Sequence, residues 1–219
     1  MANSSSLAQT AIDPNYRRGR SLGLAFGASW LVVIGGGFSI ASLAMIETSV
    51  TTLASVATAS IAAVLVWRGV RTIRAAFRLP PYTRPPNVGE RRMMRQFLWI
   101  LGAEIVALAI VNPLLATHGR PEMQPAVSLI IVGLHFVALA PVFHVPRYYA
   151  LGAVFCAVPM GVLALMPAGA FVGAVLGLYV VPSAICGLAA CFTGAANLWE
   201  AERLLGGEVP TSGRVAVAR

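Results

Sequence analysis

Six long apolar blocks, parted by short polar or arginine-bearing stretches, account for most of the chain. A bilayer core of about 30 Å is crossed by roughly 20 residues of helix. Each block is of about that length, so the pattern predicts an all-α integral membrane bundle of six transmembrane helices. The expected spans are residues 22–46, 50–70, 97–116, 125–143, 148–166 and 171–198. Around them the expectation is a disordered cytoplasmic tail over 1–20, a six-helix domain over 21–199 and a cytoplasmic tail over 200–219. Tyr16-Arg17-Arg18-Gly19-Arg20 before the first block resembles the start of a signal peptide. The apolar run that follows is too long for a cleaved h-region of about 7–15 residues, so it reads as an uncleaved first span.

Within the blocks, small residues recur at helical spacing. Thr51, Ser55, Thr58 and Ala62 form one weakly polar stripe on the second helix, which reads as a packing seam. Gly23 and Gly27 have GxxxG spacing, Gly35-Gly36-Gly37 follows, and Gly169, Gly173, Gly177, Ser183, Gly187 and Gly194 mark the last span around Pro182. Such seams predict close helix crossings, inside the chain or with a homo-oligomer or membrane partner. Asn112-Pro113 is expected to kink the third span and free backbone groups that neighbours must satisfy.

Composition agrees with lipid as the main solvent: 58% of residues are hydrophobic, 11% are charged and the mean hydropathy is +0.77. All 16 basic residues are arginine. Without lysine, Schiff-base chemistry and a Walker-type phosphate loop are excluded. The surplus of arginine is explained by topology rather than by nucleic acid. With six spans and both termini inside, fifteen arginines fall on the cytoplasmic side and only Arg120 outside. Arg68, Arg71, Arg74 and Arg78 follow Trp67 at helical spacing and lead into an arginine- and proline-rich loop over 71–95, a surface suited to anionic lipid or to an acidic partner. The abundance of Ala, Gly, Arg and Pro suggests a bacterial protein, and therefore a multi-pass protein of the cytoplasmic membrane.

Two ionisable residues fall inside spans. Glu104 lies about 10 Å from the cytoplasmic end of the third and His135 about 12–13 Å from that of the fourth. These spans are consecutive and antiparallel, so the side chains can meet. A carboxylate and an imidazole in contact share a proton, which makes the pair a candidate for proton or cation handling. The competing reading is a structural contact between helices. Tyr179, expected near the middle of the sixth span, is a third candidate; Thr193 and Asn197 are weaker ones.

No cofactor is expected. His118, His135 and His144 lie at different depths and cannot pair across a haem. No HExxH or tight cluster points to a metal, and neither a GxSxG elbow nor a dinucleotide fingerprint points to an enzyme. Cys156, Cys186 and Cys191 read as apolar packing residues.

Gly133-Leu134-His135-Phe136, with Leu139-Ala140, Phe143 and Pro146-Arg147-Tyr148-Tyr149, resembles a signature found in uncharacterised bacterial multi-span membrane proteins. The likeness covers about 17 residues and implies only that His135 is a signature position. The chain is thus expected to be a small permease for a solute or ion, or alternatively a non-catalytic accessory or scaffold subunit. A mid-depth polar cavity reaching Glu104 or His135 would favour the first; solid packing there, with an exposed glycine-lined face, would favour the second.

Overall fold

A computed structural model describes residues 14–46, 48–80, 88–166, 171–172 and 175–206. The serine-rich start, most of the proline-rich loop, the turns at Glu47 and 167–170, and the end beyond 206 lie outside the described residues. The described chain is helical: α1 (Pro14–Ala44), α2 (Ser49–Phe77), α3 (Val88–Thr117), a 3-10 turn at Pro121–Met123, α4 (Gln124–Phe143), α5 (Arg147–Leu165) and α6 (Gly177–Leu205). Each of the six long helices is long and apolar enough to cross a bilayer.

The helices overrun the apolar blocks at their arginine-bearing ends. α1 already includes 14–20, where a tail was expected, and α6 includes 200–205. Arginine and alanine are good helix formers, and long arginine stems lie along apolar surface while their heads reach water, so a helix need not stop where the block does. α2 runs to Phe77, with Arg78 as its cap and Pro80 just beyond. The sixth helix starts later than the apolar block. Phe171–Val172 pairs antiparallel with Val175–Leu176, and the helix begins only at Gly177.

α1 and α6 form the centre and cross most closely. A Cβ added to Gly35 would lie 2.6 Å from the Gly187 carbonyl oxygen, and one on Gly194 would lie 2.8 Å from Val32 Cγ2. The Ser39 hydroxyl donates to the Ala184 carbonyl across this crossing at 3.3 Å. Gly187 and Gly194 of the small-residue run are therefore used within the chain.

α2 flanks α1 and touches α6. Gly69, Thr72 and Ala76, its buried residues, lie at helical spacing from Ala62 and Thr58 of the predicted stripe, and a Cβ on Gly36 would lie 3.1 Å from Ala62 Cβ. The stripe faces the bundle as a packing seam.

α4 and α5 form a second close pair through Gly133, whose added Cβ would lie 2.7 Å from Cys156 Sγ and 3.0 Å from the Gly152 carbonyl. α5 packs on α6, while α3 makes its substantial contacts with α4 and the 3-10 turn alone and buries no residue. Large apolar side chains face outward on all six long helices, including Trp30, Trp67, Trp99 and Trp199. Such continuous apolar surface suits lipid better than water.

Candidate functional site

Glu104 and His135 meet. His135 Nδ1 lies 2.9 Å from Glu104 Oε2, with side chains 10% and 15% exposed respectively. The oxygen is not aligned with the ring N–H direction, so the contact is close without being a well-formed hydrogen bond. It becomes an ion pair when the imidazole is protonated.

The surroundings come from α3 and α4. The Ser128 hydroxyl donates to Asn112 Oδ1 at 3.1 Å, and Gln124 Nε2 donates to the Asn112 carbonyl at 2.7 Å. α3 continues through Pro113, and side chains of the next helix serve polar groups beside the proline. On the other side, the His135 ring meets Phe136 edge-on with centroids 5.7 Å apart. Phe136 in turn packs against Tyr148 and Phe155 of α5 at 5.8 and 5.6 Å. Asn197 of α6, fully buried, donates through Nδ2 to the Tyr148 hydroxyl at 3.3 Å. A continuous line of packed rings and amides thus joins the pair to the central helix.

Tyr179 sits apart from the pair in sequence height. Because α6 begins at Gly177, Tyr179 stands in its first turn rather than at mid-helix, and it makes no hydrogen bond to the pair among the described residues. Thr193 bonds back to the Ala189 carbonyl of its own helix at 2.9 Å.

The four arginines of α2 separate into different roles. Arg68 is engaged by Glu202 of α6, with Nη2 2.5 Å from Oε2 and Nε 3.2 Å from Oε1. Arg71 stacks over Trp67, its guanidinium carbon 4.8 Å from the ring centroid. Neither Arg74 nor Arg78 pairs with an acid among the described residues.

Glu200 and Glu202, read from sequence as tail, are anchors. Glu200 holds Arg20 of α1 at 2.9 Å and Arg147 of α5 through its other oxygen. Arg17 caps the end of α6, donating to the carbonyls of Leu204 and Leu205 at 2.9 and 2.7 Å. The available signal was two acids beside Trp199, on a side otherwise dominated by arginine.

Two open-sided cavities flank α2, and neither of these is lined by Glu104 or His135. An open-sided apolar groove of about 510 Å³ runs between α1 and α2 past Gly36, Gly37, Ala63 and Trp67. A polar cleft of about 320 Å³ between α2 and α6 is lined by Arg68, Arg71, Thr72, Ala75, Glu202 and Leu205. Among the described residues no group of three or more His, Cys, Asp or Glu side chains is placed to hold a metal ion.

Comparison with protein-family models, with curated proteins and with solved structures finds no match to the chain.

Proposed function

We propose that this is a six-span protein of the bacterial cytoplasmic membrane, with both termini and the arginine-rich ends inside, that moves a small solute or ion using Glu104 and His135 as its proton- or cation-handling pair. The observation that carries the reading is the 2.9 Å approach of a carboxylate and an imidazole between two apolar helices. Ionisable groups at that depth are expensive to keep, and sharing one proton lowers the cost. The site is also built on the least constrained helix: α3 buries nothing and leans on α4, so a change in protonation acts on the element freest to move.

A second reading, a non-catalytic accessory or scaffold subunit, is favoured by the position of the cavities, neither of which is lined by the pair. In it the same contact fastens α3 to the bundle.

Flux in proteoliposomes with an imposed pH gradient separates the two. Transport that depends on the gradient and falls at least tenfold in both Glu104→Gln and His135→Ala supports the permease. Unchanged flux in both variants rejects the pair's role, and no flux of protons, alkali cations or small neutral solutes supports the accessory subunit.

A further inference from the structure

The two cavities lie on either flank of one ridge of α2 that winds round the helix. Ala59, Ala63, Trp67, Arg71 and Ala75 follow at intervals of four, a row in which each residue neighbours the next and which turns about 40° round the helix at every step. Ala59, Ala63 and Trp67 line the apolar groove, Arg71 and Ala75 line the polar cleft, and Trp67 and Arg71 are stacked at the junction.

We propose that the groove, ended by the stacked Trp67 and Arg71, is a binding site for one anionic phospholipid, with an acyl chain along Gly36, Gly37 and Ala63 and its phosphate at Arg71. The inference rests on the bilayer reading above and adds a specific ligand to it.

Three observations carry the assignment. In a bilayer an apolar groove of about 510 Å³ open to the side does not stay empty, and the nearest filler is a hydrocarbon chain. The groove is wide because Gly37 presents no side chain: an added Cβ there meets nothing within 4 Å. At the end of the groove the charge is unbalanced in favour of an anion. Arg68 is offset by Glu202, whereas Arg71 pairs with no acid among the described residues and is held in place by Trp67. A fixed guanidinium at the mouth of a hydrocarbon groove selects a lipid with a negative head.

The ridge also supplies a reporter. In a variant carrying Trp30→Phe, Trp99→Phe and Trp199→Phe, Trp67 is the sole tryptophan, and its emission can be followed in phosphatidylcholine vesicles containing rising fractions of brominated lipid. The expected result is half-maximal quenching at a several-fold lower fraction of brominated phosphatidylglycerol than of brominated phosphatidylcholine. Arg71→Gln should reduce this preference about fivefold, the weight of one arginine near an anionic head group. Gly37→Leu should fill the groove and weaken quenching by both lipids.

Equal quenching by the two lipids would overturn the site while leaving the six-span reading intact. Failure of the protein to enter vesicles would overturn both. Relief of quenching by soluble glycerol phosphate would overturn the acyl-chain half of the proposal and leave a free anion site. If the triple variant does not fold, native mass spectrometry of the unmodified chain decides: one retained phosphatidylglycerol, lost in Arg71→Gln, supports the site, and identical retention in both overturns it.

Discussion

Arg68 grips Glu202 with two of its nitrogens, one on each carboxylate oxygen, and so ties the outer helix α2 to the end of the central helix α6. The geometry is that of a strong pair, but the side chains are 43% and 32% exposed. Exposure reduces the stabilisation to about 1 kcal/mol or less, and salt screens it further. Glu202→Gln should therefore lower the thermal midpoint in detergent only slightly at low ionic strength, and the gap should close at about 1 M salt, where the Debye length is about 3 Å. A large loss that salt does not change would show that the pair is buried in the folded protein.

Glu200 is expected to behave differently. One carboxylate, 16% exposed, holds both Arg20 and Arg147, so its loss leaves two half-buried guanidiniums facing each other. Glu200→Gln should cost about 2 kcal/mol, well above the Glu202 variant in the same unfolding assay. Equal effects of the two substitutions would contradict the assigned burial.

Much of this architecture was legible in the sequence, and the exceptions have a common cause. Hydropathy located all six long helices because each apolar block is continuous, and the small stripe of α2 was readable because its period is local. The depth estimate brought Glu104 and His135 together because they lie on consecutive antiparallel helices, where rise per residue alone fixes relative height. Glu200 and Glu202 were missed because Arg20 and Arg68 lie 180 and 134 residues from them and Arg147 stands on another helix, and no local pattern states which helices are neighbours. Tyr179 was misplaced in height because Phe171-Val172 and Val175-Leu176 are as apolar as the helix that follows, so hydropathy gave no sign that they pair as extended backbone.

Two glycines on one helix should respond with opposite signs. Gly35→Ala drives a methyl to within 2.6 Å of the Gly187 carbonyl, which backbone cannot yield cheaply, and should cost about 1–3 kcal/mol. Gly37→Ala meets open space and should stabilise by about 0.5–1 kcal/mol through helix propensity. Denaturant unfolding in mixed micelles reads both, and a loss at position 37 equal to that at 35 would place the α1–α6 seam elsewhere.

Tyr148 and Asn197 form a buried polar contact in which Asn197 Oδ1 has no partner among the described residues. Tyr148→Phe removes the acceptor for Asn197 Nδ2 and should cost about 1–2 kcal/mol. Tyr148→Phe with Asn197→Leu replaces both polar groups by apolar ones and should recover part of that loss. A double variant less stable than the sum of the singles would mean that the amide serves some further group.

The glycine crossing of α1 and α6 bears on how the protein is made. The ribosome releases α6 after the other five helices, yet α6 is the one on which α1, α2, α4 and α5 all converge. Until residues 177–205 have left the exit tunnel and entered the lipid, the earlier helices lack the surface that arranges them, and Gly35 has nothing to close against. Assembly therefore finishes from the C-terminal side, and a nascent chain halted before Glu200 would hold the α1–α2 and α4–α5 pairs without the crossing that joins them.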